Sequence, residues 1–164
     1  AHAYSSLYGF TAIGLRFFTV YGPWGRPDMA IYKFTNLIYN QKKVELYGEG
    51  KMLRDFTYID DIVLGIIKTL KKKKIKFANC KNTDHNIYNI GYGEPTSVKT
   101  ILKKIENNIG NRALLITSPK HISEMKKTYC STVKFSKEFN FKPKIKINEG
   151  LKKFNDWYIS YHSK

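Results

Sequence analysis

Two short clusters in this chain combine residue types that bind ligands. The first spans residues 16–29 (Arg-Phe-Phe-Thr-Val-Tyr-Gly-Pro-Trp-Gly-Arg-Pro-Asp-Met), where an apolar run ends in a loop that contains two Gly, two Pro, one Arg and one Asp. The second spans residues 50–61 and places Arg54 and Asp55 before an aromatic residue. An arginine offers a planar, bidentate guanidinium to carboxylates and phosphates. We therefore predict a ligand loop at the end of a buried strand, with Arg54 as a second ligand contact.

Other charged residues in these clusters have simpler explanations. Arg16 precedes the end of the predicted strand, and we interpret it as one member of a structural ion pair. The spacing of Asp55, Asp60 and Asp61 suits one turn residue and a helix cap better than a metal site. We therefore predict no metal.

The elements that must position the clusters alternate between strands and helices, which indicates the α/β class. Residues 11–20 are β-branched and aromatic, which is typical of a buried parallel strand. Further strands are predicted at residues 44–47, 55–59, 86–90 and 113–117. Helices are predicted at residues 1–8, 30–39, 60–70, 98–109, 131–138 and 148–162.

The net charge of +16 raises the hypothesis of a basic nucleic-acid binding domain. Residues 68–164 hold 22 Lys/Arg against 7 Asp/Glu, and nearly all of this excess is Lys. Readout of bases would favour Arg, so we interpret the charge as a solvated surface and expect no specific nucleic-acid partner. No apolar run is long enough to span a bilayer, so we expect no membrane partner.

Two features bear on the origin of the chain. It opens at Ala1 inside an amphipathic pattern that ends at Gly9, without a helix start signal, so we expect a fragment of a longer protein. Cys80 and Cys130 lie fifty residues apart without metal-type spacing. We interpret them as free thiols in a reducing compartment and expect a cytoplasmic location.

Residues 16–19 (Arg-Phe-Phe-Thr) and 54–61 (Arg-Asp-Phe-Thr-Tyr-Ile-Asp-Asp) resemble motifs of the NAD-dependent epimerase/dehydratase family, the extended short-chain dehydrogenase/reductases. Residues 21–30 look like the form found in UDP-glucuronate 4-epimerases, and residues 141–143, Gly150 and residues 157–158 are similar to that family's ending. The resemblance implies the C-terminal part of a Rossmann-like fold. Residues 1–164 would hold its last Rossmann strands and the small substrate-binding subdomain, without the N-terminal nucleotide-binding half.

The same resemblance implies an NAD-dependent 4-epimerase that interconverts UDP-glucuronate and UDP-galacturonate through a 4-keto intermediate. Its catalytic Tyr-x-x-x-Lys pair is expected upstream of Ala1, so we expect no catalytic residue in this chain and no turnover by the chain alone. NAD would be bound mainly by the N-terminal half, and the full-length form is expected to be a homodimer.

The resemblance also assigns roles to residues of this chain. Phe18 and Val20 would flank the nicotinamide. Thr19 and Arg26 would hold the sugar carboxylate, and Arg54 would bind the diphosphate. The full set of implied substrate-binding residues is Thr19, Arg26, Met29, Glu45, Tyr47, Arg54, His121 and Glu124.

Two of these assignments are less direct than the others. Glu45 and Tyr47 match a segment that packs on the uracil. His121 and Glu124 stand where the family usually carries a Pro-Gly-Asp turn, which is missing here; they would contact the diphosphate and ribose.

Two alternative functions remain open beside the epimerase. One is a related sugar-nucleotide dehydratase or decarboxylase, because the residues that distinguish these reactions would lie upstream. The other is a noncatalytic nucleotide-sugar binding or scaffold fragment.

Overall fold

Strands and helices alternate along the chain in the computed structural model, which describes residues 1–72, 85–119 and 125–163. The strands are β1 (Ala12–Phe17), β2 (Thr19–Tyr21), β3 (Lys43–Tyr47), β4 (Leu53–Arg54), β5 (Phe56–Tyr58), β6 (His85–Ile90), β7 (Thr96–Ser97) and β8 (Leu114–Ser118). The helices are α1 (His2–Tyr8), α2 (Ala30–Tyr39), α3 (Ile59–Lys71), α4 (Val98–Ile109), α5 (Val133–Phe139) and α6 (Ile147–His162). A 3₁₀ turn spans Gly48–Gly50.

The strand predicted at residues 11–20 is divided in two. β1 pairs in parallel with β6, and after Phe18 the chain changes partner, so that β2 pairs in parallel with β5. The Phe18 N–H still donates to the Ile90 carbonyl at 3.1 Å, which marks the end of the first ladder. The prediction of a fully buried strand is wrong for β1: its side chains are half-buried or exposed, because β6 is its only strand partner among the described residues.

Two further strand pairs build the other side of the molecule. β3 pairs in parallel with β8, and β4 pairs antiparallel with β7. In β3 the side chains of Val44 and Leu46 point inward while Lys43 and Glu45 point outward, the period-two pattern of a half-buried strand.

The main hydrophobic core lies between helices α2, α4 and α6 and the strands beside them. Ile31, Phe34 and Ile38 line one face of α2 at helical spacing and are buried, as expected for an amphipathic helix. The buried members of this core are Tyr21, Ile31, Phe34, Ile38, Val44, Leu46, Met52, Phe56, Tyr58, Val98, Ile101, Leu102, Ile105, Leu151, Phe154 and Tyr158.

A second, smaller core joins α3 and α5 to β6. Its buried residues are Ile62, Tyr88, Ile90, Phe135 and Phe139. The described residues therefore form two clusters of buried apolar side chains, and β2 contributes to both, with Tyr21 in the first and Val20 against the second.

The helix ends follow local signals. Ser97 caps α4 by accepting the Thr100 N–H at 3.1 Å, and Gly110 ends the helix in the left-handed conformation. The prediction that Asp60 or Asp61 begins α3 is wrong by one or two residues, since the helix begins at Ile59.

Asp61 does not cap α3. Its buried carboxylate instead accepts the N–H groups of Lys144 and Ile145, at 3.0 and 2.8 Å. This contact ties the segment before α6 to the first turn of α3. Among the described residues, no helix is long and apolar enough to cross a bilayer.

Candidate functional site

Two neighbouring cavities open beside β2. The large cavity measures about 870 Å³, and the loop that follows β2 forms much of its wall. The small cavity measures about 310 Å³ and lies between that loop, β3 and β4. Thr19 and Met29 line both cavities, so the two spaces are adjacent beside β2.

The structure brings the predicted site residues to these cavities. The large cavity is lined by Phe18, Thr19, Val20, Arg26 and Met29. The small cavity is lined by Thr19, Met29, Glu45, Tyr47 and Arg54. All eight predicted site residues that fall in the described part of the chain therefore line one cavity or both. His121 and Glu124 lie outside the described residues.

The loop after β2 is held by contacts that do not involve its charges. The Gly25 N–H donates to the Gly22 carbonyl at 3.1 Å. Trp24 adopts a positive φ of 61° and packs its ring edge-on against Trp157 and Tyr161 of α6. Sequence reasoning did not anticipate this aromatic contact, because α6 is more than 120 residues away along the chain.

Arg26 already holds a carboxylate. Its Nε and Nη2 atoms donate to Oδ1 and Oδ2 of Asp28, at 3.1 and 2.5 Å. The hydrogen bond from Arg26 lowers the pKa of the Asp28 carboxyl below its usual range. Both side chains are exposed, so the guanidinium remains accessible from solvent. Sequence reasoning missed Asp28, although an acid two residues after an arginine is a signal for such a pair.

Arg54 is fixed by main-chain acceptors. Its Nη1 donates to the carbonyls of Leu53 and Met125, at 3.0 and 2.8 Å, and among the described residues Nη2 has only the weak acceptor Met52 Sδ, at 4.0 Å. A cation that is oriented in this way retains donors for an anionic ligand.

Asp55, the next residue, is buried. Its carboxylate accepts the backbone N–H groups of Tyr92, Gly93 and Cys130, at 2.9 to 3.1 Å. Burial raises the pKa of Asp55, and these N–H donors oppose that effect. Asp55 thus connects β4 to the turn after β6, a larger role than the predicted turn residue.

Glu45 and Tyr47 project from β3 into the small cavity. The Ser118 hydroxyl donates to Glu45 Oε1 at 2.7 Å. This hydrogen bond is the main cause that lowers the pKa of Glu45, and a hydrogen bond from Tyr47 is the second. Ser118 lies opposite Tyr47 in the parallel register of β3 and β8. Sequence reasoning missed Ser118, because the pairing of these two strands is not encoded locally.

Arg16 differs from its sequence interpretation. Its side chain is exposed and lines the large cavity, and none of the salt bridges among the described residues includes it. The expected structural ion pair is therefore not formed with any of the described residues. The strand end at which Arg16 stands is open to solvent, so its charge needs no buried partner.

Comparison with known proteins identifies the family. Residues 1–91 match the sequence profile described as the NAD dependent epimerase/dehydratase family. The chain belongs to this family.

Two relatives align along nearly the whole length of this chain. Protein CapI of Staphylococcus aureus is 39% identical, over 100% of this chain and 52% of its own length. The probable UDP-glucuronate 4-epimerase of Rhizobium meliloti is 37% identical, over 96% of this chain and 49% of its own.

Solved structures of the epimerase/dehydratase family agree with the fold. The UDP-glucuronic acid 4-epimerase from Bacillus cereus, in complex with UDP-glucuronic acid and NAD, superposes with a TM-score of 0.86 at 29% identity. The superposition covers 98% of this chain and 49% of that one. The chain thus spans about half the length of these relatives. The predicted family, the α/β Rossmann-like fold and the NAD-dependent chemistry of the family are confirmed.

The large cavity has walls that fit the nicotinamide end of NAD. Phe17, Phe18 and Val20 present apolar surface there, next to the hydroxyl of Thr19. An apolar wall suits a flat aromatic ring, and it excludes water from the space in front of the ring. Phe18 and Val20 are the residues of this chain that would hold that part of the cofactor.

Proposed function

We propose that this chain is the substrate-binding half of a sugar-nucleotide 4-epimerase that interconverts UDP-glucuronate and UDP-galacturonate. The observation that carries the proposal is that the two cavities are adjacent, with Arg26 at one and Arg54 at the other. A UDP-uronate carries negative charge on two groups, its sugar carboxylate and its diphosphate, so each arginine would have one anionic partner. The names of the relatives point to the same substrate.

The sugar end of the substrate would lie in the large cavity. Arg26 offers two parallel N–H donors to the C6 carboxylate, and Thr19 offers a hydroxyl beside it. Bound NAD would supply the hydride acceptor at this end. A 4-keto uronate is a β-keto acid that loses carbon dioxide readily, and a carboxylate held by a fixed cation resists the geometry for that loss. Thr19 and Arg26 would therefore favour epimerisation over decarboxylation.

The nucleotide end would extend into the small cavity. The free donors of Arg54 would meet the diphosphate, and the ring of Tyr47 would pack on the uracil beside Glu45 and Met29. The pinned guanidinium of Arg54 needs little reorganisation when the ligand arrives, which favours affinity.

We propose that a nucleotide-binding half packs against the exposed apolar surfaces of α1, β1 and α3. Leu7 and Leu70 are 74% and 80% exposed, and Phe17 of β1 is also exposed. Large apolar surfaces of this kind are typical of interfaces. The catalytic Tyr and Lys would lie in that half, so the chain alone would be inactive. A homodimer and a cytoplasmic location stay predictions.

The test joins this chain to the N-terminal half of the Rhizobium meliloti relative and follows UDP-glucuronate by NMR with added NAD. We expect UDP-galacturonate from the joined protein and no product from the 164-residue chain alone. The upstream residues of the joined protein come from the Rhizobium meliloti relative, so release of carbon dioxide would contradict the role proposed for Thr19 and Arg26 in favouring epimerisation. Binding of UDP-glucuronate without turnover by the joined protein would favour the noncatalytic binding fragment.

A further inference from the structure

The ion pair between Arg26 and Asp28 lies at the boundary of the two cavities. Arg26 lines the large cavity, and Asp28 lines the small one. The pair is bidentate, so Asp28 occupies one complete edge of the guanidinium, formed by Nε and Nη2. The side chains are 76% and 63% exposed, which leaves the pair within reach of a ligand.

Asp28 presents to Arg26 the same chemical group as the sugar carboxylate of a uronate. We propose that Asp28 is an internal occupant of the Nε/Nη2 edge of the Arg26 guanidinium, and that the ligand carboxylate displaces it to bind this edge. Asp28 thereby sets how strongly the site prefers a UDP-uronate to a neutral UDP-sugar. This inference rests on the proposed function, because it takes the C6 carboxylate as the partner of Arg26.

The loop does not need the ion pair to keep its shape. Trp24 is docked on α6, and main-chain bonds close the turns at Gly25 and Met29. An exposed ion pair contributes little to stability, so the exchange of one carboxylate for another costs little. Lys33 also lines the small cavity and gives the displaced Asp28 carboxylate a cation nearby.

The test is calorimetric titration of the 164-residue chain and its Asp28→Asn variant with UDP-glucuronate and with UDP-glucose. These ligands differ at C6, where only the first carries a carboxylate. We expect the variant to bind UDP-glucuronate roughly two- to fivefold more tightly relative to UDP-glucose, the range set by an exposed ion pair. In an Arg26→Gln background the same substitution should leave the ratio of the two dissociation constants unchanged, because the guanidinium that Asp28 occupies has been removed.

Asp156→Asn is the matched control. Asp156 is also an exposed carboxylate in an ion pair, with Lys152 of α6 at 2.8 Å, so its removal changes the net charge equally. The control should leave the ratio unchanged. The inference is overturned if Asp28→Asn leaves or lowers the preference for UDP-glucuronate while both ligands still bind, and the proposed function then stands. If neither ligand binds any variant, the proposed function fails, and the inference fails with it.

Discussion

In the proposed function, the guanidinium of Arg26 distinguishes a charged sugar from a neutral one. It projects from a loop whose backbone is fixed by Trp24 and by two turns, so its position does not depend on the ligand. Arg54 differs from it, because its main-chain partners orient it for a group that every UDP-sugar carries. Under the proposed function, Arg26 would therefore provide selectivity for the charged sugar, and Arg54 would provide affinity for any UDP-sugar.

Substitution of Arg26 by Gln tests this division. We expect Arg26→Gln to weaken binding of UDP-glucuronate by roughly tenfold or more, since a charge-assisted contact is lost, and to change UDP-glucose binding little. Calorimetric titration of both ligands measures the two effects. Arg112→Gln is the control, because Arg112 is also an exposed arginine with a carboxylate partner, Glu106 at 3.9 Å. An equal loss for both ligands would contradict the role of Arg26.

Between elements, the contact of β2 with α6 is unusually close. A Cβ atom added to Gly150 would overlap the Tyr21 hydroxyl oxygen. That hydroxyl is buried and has no hydrogen-bond partner in the described part of the chain. Gly150 therefore lets α6 approach the strand that leads into the ligand loop.

Two substitutions separate the parts of this contact. We expect Gly150→Ala to lower the free energy of unfolding by about 1–3 kcal/mol through overpacking. Tyr21→Phe should be neutral or stabilising, because it removes an unsatisfied buried hydroxyl. In the double variant, loss of the Tyr21 hydroxyl should relieve part of the clash, which urea unfolding would measure. Ser160→Ala, at an exposed position of α6, is the control. If the changes in unfolding free energy of Gly150→Ala and Tyr21→Phe were strictly additive in the double variant, this would contradict the contact.

The sequence predicted elements well wherever the signal is local. Residues 30–39 and 98–109 are helices as expected, because apolar spacing and, for the second, a Ser cap and a Gly end agree. The interruption at Phe18 and the position of Asp61 were not predictable in this way, since both follow from partners that are remote in sequence. The candidate site shows the same limit. Its ligand-facing residues belong to motifs, whereas Ser118 and Trp24 join it through long-range packing.

For the whole molecule, the buried thiol of Cys130 links stability to pH. Burial, followed by the nearby charge of Asp55, raises the pKa of this thiol to about 12. In the unfolded chain the thiol ionises near pH 9, so only the unfolded state gains the charge between pH 9 and 12. The contribution of Cys130 to stability is thus present below pH 9 and is lost as the pH rises toward 12.

Unfolding in urea at about pH 8, 9 and 10 under reducing conditions tests this linkage. We expect the free energy of unfolding to fall above about pH 9 by up to about 1.4 kcal/mol per pH unit for this group. Cys130→Ala should flatten the decline, even if its stability at the lowest pH is lower. The measurements stop at about pH 10 because the ionisation of buried tyrosines such as Tyr58 and Tyr88 adds its own effect on stability at higher pH. An equally steep decline in the variant would show that the thiol is not the cause.

An anionic ligand could bind to this chain in two ways, either loosely on the surface that carries the net charge of +16 or specifically in the two cavities. Lysine-rich surfaces attract any polyanion weakly, and added salt removes that attraction. A site built from Arg26, Thr19 and Arg54 binds at one place and depends less on salt.

The proposed site is tested most directly by an NMR titration of the ¹⁵N-labelled chain with UDP-glucuronate. The salt concentration is about 150 mM, at which surface charges are strongly screened. We expect saturable shifts of backbone amide signals in residues 17–30 and 45–55, around the two cavities. UDP-glucose should reproduce the shifts near Arg54 but not those near Arg26. Shifts spread over the lysine-rich residues 99–104 and 142–153, or no saturable shifts at all, would contradict the proposed site.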